Sequence, residues 1–283
     1  MPDVSLVESS LKNYYNQTEI SIQVSLSGFS FCIYSQADKT IRAFRNYCYT
    51  NIILQEDLLN STGDVLKKDE LLRLPHKKVN VIYVGRSSTI LPDEYFEPSM
   101  LKHIMEFNQP VGELDEIHYK KLPFNSVRLV HTVPTYFAGI MLDKFSDAQF
   151  YNQASPLLDL AYRQRAELSE KSVIINLNKE FFDIIVLIDG EIKLYNTFLY
   201  VNSTDLLYFI LFVCKQLSVN TEEAFFYISG EECNNTTLTN ELRNFLKKLE
   251  FIKNVPVIQF GNLFGKLNKS QFITLFNLSN CES

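Results

Sequence analysis

Part of this chain is written twice. Residues 21–49 (SIQVSLSGFSFCIYSQADKTIRAFRNYCY) overlay residues 172–200 (SVIINLNKEFFDIIVLIDGEIKLYNTFLY) without a gap, at an offset of 151. Ser21/Ser172, Leu26/Leu177, Phe31/Phe182, Ile33/Ile184, Asp38/Asp189, Ile41/Ile192 and Tyr49/Tyr200 are identical, and Arg42/Lys193, Phe44/Tyr195 and Tyr47/Phe198 are similar in kind. A duplicated segment requires each half of the chain to build the same unit. A length of 283 residues leaves room for about two domains, each with its own core.

Each copy reads as three strands joined by tight turns. In the second copy Ser172–Leu177 and Phe181–Ile188 are apolar runs separated by Asn178-Lys179-Glu180, and Asp189-Gly190 makes a two-residue hairpin into Glu191–Tyr200. Asp-Gly between apolar runs is a strong hairpin signal, because both turn positions favour positive φ. The first copy turns at Ser27-Gly28 and again at Ser35–Thr40. After the second copy, Asn202-Ser203-Thr204-Asp205 offers N-caps to a helix over Leu206–Leu217. That helix is apolar nearly all round and is expected to be buried. A strand over Glu223–Ser229 closed by Gly230, an amphipathic helix Thr237–Leu249, a strand Val255–Phe260 and a helix Ser270–Leu278 follow. The first half repeats the plan with a helix Asp64–Leu74 and a strand Lys78–Val84, then diverges. Pro98–Phe107 reads as helix, Glu116–Leu122 and Ser126–Val133 as paired strands, Pro134–Phe145 as a helix opened by proline, and Pro156–Arg165 as a further helix. Polar Ala166–Lys171 marks the boundary, giving domains 1–167 and 168–283.

Composition excludes several classes. Hydrophobic and charged fractions of 46% and 21% are globular values. A net charge of −6 without a long Lys/Arg block lacks the footprint for nucleic acid or anionic lipid. Lys67-Lys68 and Lys247-Lys248 read as solvated helix faces. The start has no basic segment followed by an apolar run, so no signal peptide is expected. The longest apolar stretch, Leu206–Cys214, falls far short of the roughly 20 residues that span a bilayer. Five cysteines without metal-like spacing fit reduced thiols in a cytoplasmic protein. Cys32 and Cys214 lie in apolar runs as core residues, and Cys233 and Cys281 have no spaced partners for a metal.

A three-strand meander followed by helix, strand, helix and strand, occurring twice, resembles the duplicated ribonuclease H-like fold of actin, sugar kinases and heat-shock chaperone ATPase domains. The expectation is an α/β protein with two such subdomains, each a mixed five-stranded sheet with flanking helices. More narrowly, the chain resembles an uncharacterised bacterial domain-of-unknown-function family with an actin-like ATPase fold. The residues carrying this are Ser88-Thr89-Ile90-Leu91-Pro92, Asn196-Thr197-Phe198, Asp205 with Tyr208, Ile228-Ser229-Gly230 and Cys281. The second half is also similar to cytoplasmic actin-like scaffold proteins of pilus and secretion assemblies.

The resemblance implies a nucleotide site in which the turn between strands one and two of each half wraps the phosphates. Such turns need glycine for close backbone approach, and an aspartate at the end of strand one for Mg²⁺. Phosphoryl transfer rests on that positioning and charge neutralisation. The first loop, Val24–Ser30, keeps one glycine and no carboxylate; the second, Ile175–Phe181, has no glycine. Glu180 and Asp183 are nearby acids, but Asp183 falls within strand two. In place of the adenosine-binding Gly-Gly stand Gly261-Asn262 and a separate Gly265. Ser27, Gly28, Asn178 and Lys179 are what remain as candidate phosphate contacts, and ATP with Mg²⁺ is the cofactor these degenerate loops argue against.

The expected function is a non-catalytic scaffold that binds a protein partner. The contact surface would be the cleft between halves or the segment Pro98–Asp115 with Met100, Leu101, Ile104, Met105 and Phe107; the bland reading of those residues is packing onto domain one. The alternative is a nucleotide sensor or ATPase with Lys179 as the phosphate-contacting charge; self-association is a third. Other chemistry is thin. His131 near Tyr136, and His118, have the type of a general base but no nucleophile motif, and they read more simply as structural. Asp93-Glu94 after Pro92 starts a helix. Ser229-Gly230-Glu231-Glu232 stands at a strand end, where α/β sites form, or is a plain strand-to-helix turn.

Overall fold

The computed structural model describes residues 1–9, 11, 17–50, 52, 54–109, 111–124, 126–253 and 255–281. The first half contains β1 (Val4–Val7), β2 (Thr18–Ser25), β3 (Gly28–Ser35), β4 (Thr40–Cys48), α1 (Gln55–Lys68) and β5 (Lys78–Tyr83). It continues through β6 (Ser88–Pro92), α2 (Leu101–Asn108), β7 (Asp115–Lys121), β8 (Val127–Pro134), α3 (Thr135–Lys144), β9 (Gln149–Asn152) and α4 (Ala154–Gln164). The second contains β10 (Lys171–Leu177), β11 (Phe181–Ile188), β12 (Glu191–Leu199), α5 (Ser203–Gln216), β13 (Phe225–Ser229), α6 (Thr236–Phe245), β14 (Lys248–Phe251), β15 (Gln259–Phe260) and α7 (Ile273–Asn277).

Two sheets share one topology. The second has the order β12-β11-β10-β13-β14, and the first runs β4-β3-β2-β5-β9 with β1 and β15 added along β4. In each, three antiparallel strands are followed by two parallel ones. The fifth strand of the second sheet is β14, which lies where helical periodicity extended the preceding helix to Leu249. Leu249 is buried by strand alternation instead, and α6 stops at Phe245. The expected strand Val255–Phe260 shrinks to β15 and pairs with β4 of the other half.

The repeat is real, but its register differs from the gapless overlay. Tyr49 N donates to Ser27 O at 2.8 Å and Tyr200 N to Glu180 O at 3.1 Å, so position 49 corresponds to 200 and position 27 to 180. Hydrogen-bond pairing therefore relates β2 and β3 to β10 and β11 at an offset of 153, and β4 to β12 at 151. The difference is absorbed by the second turn, which needs four residues in the first half and only Asp189-Gly190 (φ 54° and 74°) in the second. A shift of two residues is one full pleat, so every side chain keeps its face. That is why the apolar pattern overlays without a gap although Phe31 and Phe182 are not counterparts. Both halves also carry the same irregularity, between Ile33 and Tyr34 and between Val186 and Leu187.

The core is layered. α1 and α3 pack on the outer face of the first sheet, and α5 and α6 on the outer face of the second. Between the sheets lie α4 and α7. Each has crossed over: α4 packs against β11 and β12, and α7 against β2 and β3. Phe44 of the first sheet meets Phe272 and Phe276 at ring-centroid distances of 4.7 and 5.4 Å, which ties the last helix to the first meander. Emptying such an aromatic site costs about 3–5 kcal/mol.

One expectation about apolar residues is corrected. α5 is not buried all round: Leu206, Ile210, Val213 and Cys214 face the sheet, but Tyr208 and Phe212 remain 61% and 46% exposed, because α5 belongs to the outermost layer. In the divergent segment, Leu101 and Met105 pack with Leu91 and Val130 into a small core of their own beneath the antiparallel sheet β6-β8-β7, while Met100 and Phe107 are exposed. Among the described residues no helix is long and apolar enough to cross a membrane.

Candidate functional site

The β2–β3 and β10–β11 turns approach each other at one end of the molecule. Leu26 from the first and Glu180 and Phe181 from the second line a common cleft of about 610 Å³, with Tyr83, Arg86 and Tyr136 on its other walls. The chain brings a carboxylate to this junction through an unusual backbone step. Gly230, after β13, has φ +92°, and a Cβ there would sit 2.4 Å from Leu177 O. Only glycine allows that conformation and that approach. The turn delivers Glu231 of the second half to the β2–β3 turn of the first, where Ser25 Oγ donates to Glu231 Oε1. Burial pushes the Glu231 carboxyl above the ordinary range, while hydrogen bonds from Ser25 and Ser27 and the charge of Lys179 pull it back. A protein carboxylate thus lies at the junction of the two turns.

Behind the half-buried Glu231 lies a fully buried acid. Asp183 is fully buried on β11 and accepts from Thr197 Oγ1 at 3.0 Å, Tyr195 OH at 3.1 Å, Asn176 Nδ2 at 3.1 Å, Gln153 Nε2 at 3.2 Å and Asn178 Nδ2 at 3.4 Å. Burial raises its pKa, and the hydrogen bonds from Asn176, Thr197, Gln153 and Tyr195 oppose that rise. The network crosses between halves. Gln153 also exchanges hydrogen bonds with Gly85 (2.9 and 3.0 Å), and Tyr195 OH meets Ser88 Oγ at 2.6 Å. With five protein donors on it, this carboxylate is built to fix Gln153, Tyr195 and the strand ends relative to one another. Among the described residues no cluster of His, Cys, Asp and Glu is arranged to hold a metal.

The sequence candidates are placed as follows. Ser27 donates its backbone N–H to Ser25 Oγ at 3.1 Å. Gly28 begins β3, and a Cβ there would lie 2.3 Å from Tyr47 O; its smallness admits the neighbouring strand. Asn178 turns inward to Asp183 and accepts at its carbonyl from Tyr200 OH at 2.6 Å. Lys179 is exposed at the turn tip. The counterpart of Asn176 in the first half is Gln23, whose Oε1 accepts from Thr274 of α7 at 2.8 Å. Both strand-end positions therefore carry amides committed to the protein. His131 is buried with neither ring nitrogen hydrogen-bonded, stacked on His118 at 5.6 Å. Asp93 opens a short helical turn and pairs with Lys121 and Arg128. Gln153 and the role of Asp183 escape sequence reading. The signal available was an acid inside an apolar strand, FFDIIVLI, which a soluble fold buries only with partners.

Residues 10–249 match a protein family described as "Protein of unknown function (DUF3822)". The chain belongs to this family. Its fold is that of actin-like ATPases. The DUF3822 chain is similar to a Bacteroides thetaiotaomicron VPI-5482 protein described as having an actin-like ATPase fold and unknown function. Identity is 23%, the match covers 95% of this chain and 98% of that one, and the TM-score is 0.81. It is also similar to a chain of the PilM-PilN type IV pilus biogenesis complex, at 11% identity, 94% and 99% coverage and a TM-score of 0.61. No curated protein matches the sequence.

Proposed function

We propose that this DUF3822 protein is a non-catalytic actin-like protein that works by binding a partner protein. The observation that carries this reading is the Glu231 carboxylate on Ser25. It bridges the two halves at the junction of the strand turns and brings negative charge where nucleotide phosphates would bring theirs. The amides Gln23 and Asn176 at the strand ends, both engaged in protein hydrogen bonds, support it further, since neither supplies the carboxylate that Mg²⁺ prefers. That a neighbour of the same fold belongs to a two-protein pilus complex supports a role through protein contacts. The cleft between Leu26, Arg86 and Phe181 is the surface that both halves and the insert share, and the partner is placed there.

Phosphate release from Mg-ATP by the purified protein tests the reading. The expected result is no turnover above the buffer rate. Turnover that falls on Ser27→Ala or Lys179→Ala would instead establish the alternative, an ATPase with an altered phosphate site.

A further inference from the structure

The two halves differ on their outer faces in a way their shared topology does not require. α1 and α5 are counterparts, each joining the third strand of a meander to the fourth strand of its sheet. Every exposed residue of α1 is polar: Gln55, Glu56, Asn60, Asp64, Lys67 and Lys68. α5 exposes Tyr208 and Phe212, stacked with ring centroids 6.3 Å apart. Helical spacing puts Tyr208, Leu211 and Phe212 on one stripe, with Asp205 near its start and Lys215 near its end. Asp205 and Lys215 make no ion pair among the described residues.

We infer that the outer face of α5 is the interface of a two-fold homodimer. A two-fold axis through the outer face, midway between Tyr208 and Phe212, runs the partner's α5 antiparallel and sets Tyr208 against the partner subunit's Phe212. The same axis sets Asp205 against the partner subunit's Lys215. Asp205 and Lys215 lie about 15 Å apart along the helix, so both unlike pairs form together at the ends of the apolar stripe. Self-complementarity of this kind is what an isologous interface demands. A single patch holding apolar centre, acid and base in mirror order fits a second copy of this chain better than an unrelated partner. The inference is independent of nucleotide binding and stands or fails separately from the proposed function.

Light scattering on the full chain over roughly 1–100 μM tests it. The expected mass is twice that of the chain, returning to the single-chain mass in Phe212→Glu. Asp205→Lys and Lys215→Asp each set like charges at both ends of the stripe and weaken the dimer about tenfold or more. Mixing these two variants pairs unlike charges at both ends and restores dimerisation between them, which also shows that both are folded. A wild-type chain at single mass throughout, a dimer indifferent to Phe212→Glu, or a mixture no tighter than its components would each overturn the inference.

Discussion

At the residue scale, two buried ionisable groups make opposite demands on pH. His131 has its pKa lowered to about 3 by burial and by the charge of His118 stacked on it. The unfolded chain takes up this proton near pH 6.5, and the folded chain does not until about pH 3. Stability from this site is therefore full above pH 6.5 and falls as pH drops toward 3. His131→Phe, which fills the same space without titrating, should cut the stability lost between pH 7 and pH 5 by about 2 kcal/mol in urea titrations; an unchanged loss would refute the assignment. Asp183, raised by burial, acts in the reverse sense. Its contribution is greatest below about pH 4 and declines as pH rises through the elevated value. Its network still matters at neutral pH, because Asp183→Ala removes the acceptor shared by Asn176, Asn178, Thr197, Tyr195 and Gln153, of which only Gln153 and the two hydroxyls keep other partners. At about 1–3 kcal/mol for each donor left dry, a loss of at least about 2 kcal/mol is expected from the unfolding midpoint. Glu231→Gln keeps an acceptor for Ser25 and sheds the desolvated charge, so its stability at pH 7 should stay within about 1 kcal/mol of wild type.

At the element scale, turns and strand ends explain what could be read in advance. The meanders were legible because alternation and Asp189-Gly190 are local signals, and the duplication reinforced them. β14 and β1 were not, since short edge strands acquire their identity from the neighbours that pair with them. The gapless overlay hid a two-residue shift because the pleat repeats every two residues. Glycine roles were misleading for the same kind of reason: the crowding at Gly28 comes from Tyr47, a neighbour across a hairpin, and that at Gly230 from Leu177 on another strand. Gly230→Ala combines a strained φ with a backbone clash, so it should destabilise by about 2 kcal/mol or more. A thermal melt within a degree of wild type would show that the Gly230 turn is not what positions Glu231. The face of α5 was misread as buried because an apolar helix is normally an inner one, and periodicity carries no information about which layer it joins.

At the scale of the whole molecule, each half lends its last helix to the other's sheet, and Gln153, Ser25 and Glu231 lock the halves together by hydrogen bonds. The sequence makes the scarcity of glycine in the strand turns visible; it could not show that a carboxylate 206 positions from Ser25 would lie against them. Only the crossing of the chain puts Glu231 there. The central claim is that this junction is satisfied by the protein itself and takes no nucleotide. Thermal unfolding with and without Mg-ATP at about 1 mM tests it most directly, since a ligand with a Kd near 10 μM would add about 2.7 kcal/mol to the folded state. The account predicts an unchanged Tm; a rise of several degrees that disappears on Ser27→Ala or Lys179→Ala would contradict it.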